Sequence, residues 1–97
     1  PSDPAAGRSA VMGRRLPDVL IDQWQGWDEL HLQPGDYIKL FDGKLWGCRA
    51  PNGDEGTIRT HVVVEHEDGT ITVSPSIQME TGQRWHGYLE QGIWKTC

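Results

Sequence analysis

The chain has 97 residues, 36% of them hydrophobic, with 12 Gly and a formal net charge of −5. A chain of this size forms one small domain that buries about 60–65% of its extended surface, and its apolar share excludes a disordered polymer. Five Trp stand against two Tyr and one Phe, so its large apolar volume comes mostly as indole.

No run nears the roughly 20 apolar residues of a membrane-spanning helix, and no basic-then-apolar signal segment opens the sequence. Charge is unevenly placed. Residues 1–15 hold Arg8, Arg14 and Arg15 against Asp3, whereas residues 16–97 hold six basic and thirteen acidic groups. Phosphate neutralisation needs a basic face, so the acidic body argues against nucleic-acid binding. Two Cys, Cys48 and Cys97, are too few for a disulfide framework, and reduced thiols in a cytoplasm are the expectation; a single bond stapling the last residue stays open.

In chain order, residues 1–15 carry Pro, Gly and Arg without an apolar period and read as a flexible basic arm, leaving 16–97 as the folded domain. Residues 18–22 suggest a short strand, followed by an irregular turn in which Trp24, Trp27 and Leu30 are spaced by three around a helix-weakening Gly26. After the turn Pro34-Gly35-Asp36, the residues Tyr37–Phe41 predict a strand. Asp42-Gly43 then predicts a two-residue hairpin turn into a second strand, so that 37–48 forms a hairpin. Pro51 to Gly56 is a cluster of turn formers and reads as a polar loop.

Residues 57–77 predict a second hairpin centred on Asp68-Gly69. Counting outward sets His66 opposite Ile71 and Val64 opposite Val73. That register puts Val62, Val64, His66, Ile71 and Val73 on the core face, and Pro75 ends the second strand. Residues 84–97 read either as a third hairpin turning at Gln91-Gly92 or as one helical turn stopped by Gly92; Gly87 favours strands. Together these segments predict a mainly β fold: a small antiparallel sheet of hairpins, a partly rolled barrel or sandwich, with little helix.

The candidate chemistry is thin. His61 and His66 are five apart in one predicted strand, so they face opposite sides and cannot share one metal ion. Cys48, Cys97 and a His form no CxxC or HxxxH pair, so no metal site is predicted, and no cofactor motif or phosphate-binding Gly loop occurs. Cys48 with His66 or His86 as base is conceivable as a thiol dyad, but only Arg49 nearby favours the thiolate. Glu65, Glu67 and Asp68 read as solvated turn residues. Trp46 and Trp94 lie in predicted strands and read as core, and Trp24 and Trp27 as cover for one end of the sheet. Trp85, His86 and Tyr88 are the candidate binding residues, an indole beside an imidazole with Gly87 permitting close approach.

The runs EHEDGTITVSPSI, from Glu65 to Ile77, and WHGYLEQGIW, from Trp85 to Trp94, resemble a family of small uncharacterised bacterial and bacteriophage proteins over about residues 45–97. The resemblance implies a bacterial or phage origin and a cytoplasmic setting, or association with the virion if phage-encoded, and it transfers no activity. Some similar proteins carry a Cys-rich cluster where this chain has WGCRAPNG; only Cys48 stands there.

Three functional expectations follow. The first is a non-catalytic module whose exposed indoles bind a protein partner, since Trp offers large contact area with a polar handle. The second is a small metal- or thiol-dependent hydrolase using Cys48 with His66 or His86. The third is an acidic nucleic-acid mimic that inhibits a host DNA-binding protein.

Overall fold

The computed structural model describes residues 10–19, 26–43 and 45–97. Within them, strands β1 (Ala10–Met12), β2 (Arg14–Arg15), β3 (Asp36–Leu40), β4 (Leu45–Arg49), β5 (Glu55–Ile58), β6 (Val62–Glu65), β7 (Ile71–Gln78), β8 (His86–Glu90) and β9 (Ile93–Thr96) form two sheets. One has five strands in the order β1-β9-β8-β7-β6, and the other four in the order β2-β3-β4-β5. All pairings are antiparallel except β2 with β3. The mainly β expectation is met as two facing sheets that do not close into a barrel.

Two runs of chain pass from one sheet to the other: β1 into β2, and β5 into β6. Gly13 makes the first passage. Its N–H donates to the Gly92 carbonyl at 2.7 Å, and the next N–H, of Arg14, donates to Gly35 at 3.1 Å. A Cβ on Gly13 would stand 2.8 Å from that Gly92 oxygen and 2.9 Å from Trp94 Nε1, so only glycine fits the crossing. Of the predicted arm, residues 1–9 lie outside the described residues, while 10–12 and 14–15 belong to the sheets. The arm's Arg14 reaches the buried Asp36 through two hydrogen bonds of 3.0 and 2.8 Å, which fixes β2 beside β3.

The main core lies between the sheets. Tyr37, Trp46, Cys48 and Ile58 face Ile71, Val73, Ile77, Trp85, Leu89 and Trp94, with Val11 and Val63 packed at its margin. A second, smaller cluster covers the far face of the four-stranded sheet: Leu32, Ile38 and Leu40 beneath Leu16, Val19, Trp27, Leu30 and Leu45. Trp27 begins a 3₁₀ turn, Trp27–Leu30, and its ring lies against Gly47. Of the predicted strand at 18–22, Val19 makes an isolated bridge to Leu40; residues 20–25, including Trp24, lie outside the described residues. Among the described residues no helix is long and apolar enough to cross a membrane.

The hairpin at 37–48 forms, with Tyr37 opposite Cys48 and Leu40 opposite Leu45. Its connection is longer than a two-residue turn: Phe41 leaves the strand at φ 51° and opens a 3₁₀ turn, Phe41–Gly43. The expected polar loop is shorter than predicted. Gly53 N–H closes onto Ala50 and Ala50 N–H onto Asp54, after which Glu55–Ile58 pairs with β4.

The second hairpin differs by one residue from the expectation. His66 N–H donates to Thr70 and Gly69 N–H to His66, so Gly69 (φ 90°) is the third residue of a three-residue loop rather than the second of a two-residue turn. Glu65 therefore opposes Ile71, and Val63 opposes Val73. A slip of one residue turns a strand over. Val63 faces the core, while Val62, Val64 and His66 face outward. Nor does Pro75 end β7, which runs on to Gln78. Pro75 lies past the last pair with β6, Val62–Ser74, and inside the β7–β8 irregularity between Val73 and Ile77, where no regular ladder needs its missing N–H.

The last segment is a hairpin, as the strand reading expected. Glu90 opposes Ile93, and both loop residues, Gln91 (φ 48°) and Gly92 (φ 77°), take the left-handed conformation that matches strand twist.

Candidate docking face on the five-stranded sheet

Alternation along each strand sorts residues between the core and an outer face that no described element covers. In β8, Gly87 and Leu89 point inward and His86, Tyr88 and Glu90 outward; in β9, Trp94 points inward and Ile93 and Lys95 outward. Met12 stands beside Ile93, and Val62 and Val64 stand beside Ser74 and Thr72 at the other margin. Among the described residues the exposed large hydrophobics are Met12 (83%), Val62 (64%), Val64 (49%), Tyr88 (44%) and Ile93 (36%). All five lie on this one face. Single exposed apolar residues are ordinary, and it is their sharing of one face that makes this face the candidate.

Both imidazoles on the face are paired with hydroxyls. His86 Nε2 lies 2.9 Å from Ser76 Oγ, and His66 Nε2 lies 2.7 Å from Thr72 Oγ1, which also accepts the Gln91 N–H at 2.9 Å. Lys95 and Glu90 lie 3.7 Å apart, both half exposed. The face thus offers apolar side chains and fixed hydroxyl–imidazole pairs with little net charge.

The three predicted binding residues divide across the sheet. His86 and Tyr88 are on the outer face. Trp85 is only 6% exposed, meets Trp94 edge-on at 5.4 Å, and donates from Nε1 to Thr96 Oγ1 at 3.1 Å. Trp46 and Trp94 are buried and Trp27 half-buried, so none of the described indoles is an exposed docking group. Trp94 is wholly buried and donates to the Gly35 carbonyl at 2.8 Å. The exposed large apolar groups of this face are aliphatic and phenolic instead. Met12, Val62, Val64 and Ile93 were missed by sequence reasoning; the signal for Ile93 was its place next to Trp94 in a strand whose core face was already assigned.

The thiol and histidine candidates are not brought together. Cys48 is fully buried, its Sγ lies 3.6 Å from the Gly56 carbonyl, and loss of solvation pushes the thiol up to about 12. His66 and His86 instead pair with hydroxyls on the opposite side of the five-stranded sheet from the core that holds Cys48. Cys48 and Cys97 are free thiols, one buried and one exposed. His61 donates from Nε2 to the Ser76 carbonyl at 2.9 Å. It borders a pocket of about 550 Å³ between β5 and the end of β7, with Glu55, Arg59, Gln78 and Glu80. Among the described residues no three His, Cys, Asp or Glu side chains converge as ligands for a metal ion.

Two carboxylates fix loops around the site. Asp54 accepts N–H groups from Trp85 (2.9 Å) and Gln83 (3.1 Å), and these bonds hold its carboxyl below the usual range. Glu65, at the end of β6, binds Lys39 at 2.6 Å and Arg15 at 3.2 Å, so its carboxyl is also lowered, chiefly by the Lys39 hydrogen bond. No family model, curated protein or solved structure matches the chain.

Proposed function

We propose that the protein is a non-catalytic interaction module that docks a protein partner on the outer face of its five-stranded sheet. The supporting observation is the gathering of Met12, Val62, Val64, Tyr88 and Ile93 on that face. Burying them against a partner contributes through lost apolar surface, and the paired hydroxyls and imidazoles supply a polar rim. Tyr88, central and amphipathic, is the anchor of this surface. In the bacterial or phage setting that the sequence resemblance implies, the partner is sought in the host cytoplasm.

The test uses immobilised full-length chain against a host extract, with Tyr88→Glu and Val64→Glu beside a control, Glu29→Lys, on the covered side of the molecule. A partner identified by mass spectrometry, then purified, is measured by calorimetry. Binding lost in both face variants and kept in the control supports the docking face. Equal binding by all four proteins rejects it.

A further inference from the structure

The pocket between β5 and the end of β7 is bordered by main-chain groups that no described strand pairs. Ala50 N–H donates to Asp54 at 2.7 Å, so in this antiparallel ladder Gly56 and Ile58 bond to β4, and the N–H and C=O of Glu55 and Thr57 turn away from it. Across the pocket, Met79 N–H donates to Trp85 at 2.8 Å, so Gln78 turns its own main-chain groups away from β8. Side chains alternate in the same way. Gly56 and Ile58 lie on the core side with Cys48 and Trp46, whereas Glu55 and Thr57 lie on the other side, where the Trp27 ring covers Gly47, the partner of Thr57.

Opposite charges stand at the two ends of this short edge. Arg59 Nε donates to Thr57 Oγ1 at 3.1 Å, which holds the guanidinium beside Thr57, a strand repeat of about 6.5–7 Å from Glu55. Neither Arg59 nor Glu55 makes an ion pair among the described residues, and Arg49, across from Glu55, is occupied by the Gly53 and Leu32 carbonyls. His61, in the wall of the same pocket, carries the one buried side-chain polar atom without a partner among the described residues, the acceptor Nδ1. We propose that this pocket binds a zwitterionic α-amino acid with a large apolar side chain, laid along β5 like a single residue of a parallel strand. Its ammonium donates to the Glu55 carbonyl and carboxylate, and its carboxylate accepts from the Thr57 N–H and the Arg59 guanidinium. The C=O of one residue and the N–H of the next but one are the pair that a parallel neighbour bridges. Turned end for end, the ligand would set carboxylate against Glu55 and ammonium against Arg59, so charge fixes its direction. Trp27 and Met79 supply the apolar lining, and about 550 Å³ is room enough for an aromatic side chain. The pocket lies apart from the docking face, and the inference does not depend on that face.

The test is a titration of the isotope-labelled full chain with L-phenylalanine up to about 10 mM, read by amide chemical shifts. Saturable shifts are expected at residues 55–57 and 78–80, with a Kd of about 1 mM or tighter. Phenylalanine methyl ester, which lacks the carboxylate, and N-acetylphenylalanine, which lacks the ammonium, should each bind at least about tenfold more weakly. Arg59→Gln should weaken phenylalanine about tenfold and leave the methyl ester unchanged, while Glu55→Gln weakens phenylalanine and leaves the N-acetyl compound unchanged. Amide spectra of the free variants, matching wild type away from the substituted position, establish that both fold. Absence of any saturable shift overturns the proposal. So does an ester or N-acetyl compound that binds as tightly as the amino acid, which would make the site one for a single charge, or a set of shifts centred on Tyr88, which would move binding to the docking face.

Discussion

The indole of Trp85 lies over the bare backbone of Gly87, so near that a Cβ there would stand 2.5 Å from Cη2 and 2.6 Å from Cζ2, and against the Lys95 carbonyl as well. The two residues point to the same side of the sheet, and the missing side chain of one makes room for the ring of the other. Gly87 thus has a packing role that its weak strand propensity conceals.

Gly87→Ala is expected to destabilise the protein by about 1–3 kcal/mol, because a ring and a backbone carbonyl must both move. Trp85→Ala, which empties the same place, should cost about 3–5 kcal/mol. Tyr88→Ala, one residue away on the outer face, should fall within about 0.5–1 kcal/mol of wild type. Urea unfolding of the three variants measures the difference. A Tyr88 variant as damaged as the Trp85 variant would contradict the assignment of faces.

Gly13→Ala tests the passage between the sheets. The added methyl meets the Gly92 carbonyl and the Trp94 indole nitrogen, and the predicted loss is about 1–3 kcal/mol. Amide exchange at Val11 and Met12 should quicken first, since their pairing with Trp94 and Ile93 depends on that crossing.

Acid unfolding should engage Asp54. Its carboxyl is depressed in the folded chain, so its contribution is present above the unfolded value near 3.9 and is lost as pH falls through the folded value. Stability should accordingly decline below about pH 4, and Asp54→Asn, which has no proton to take up, should decline less over the same interval. Urea midpoints at about pH 6, 4 and 3 compare the slopes, and equal slopes would remove Asp54 from the acid limb.

The two thiols should part in reactivity. With its thiol near 12, Cys48 is ionised at neutral pH to a fraction on the order of 10⁻⁵, and it has no solvent access. Cys97 should label at an ordinary rate in the folded protein and Cys48 only in denaturant. Two thiols labelled at equal speed under native conditions would show an open core.

Fold class was legible because Gly-turned hairpins announce themselves: Gln91-Gly92 set the β8–β9 register with no help from packing. The same logic misplaced β6 by one residue, since Asp68-Gly69 serves two loop geometries and only the tertiary choice of Val63 over Val62 and Val64 separates them. β5 was hidden because Glu55-Gly56-Thr57 has neither apolar alternation nor β-branched density, and it is held by β4 beside it. The candidate face was half legible. His86 and Tyr88 were named, but Trp85 was taken for its chemistry rather than for its parity in the strand, and parity decided that the indole is buried.

The register of β1 with β9 has a further consequence. Ala10 lies directly across from Lys95, so the described chain comes in and goes out at neighbouring points on one margin of the sheet. For the same reason, a force drawing those two points apart would open β1 from β9 one bond at a time, like a zip, rather than shear the whole sheet at once.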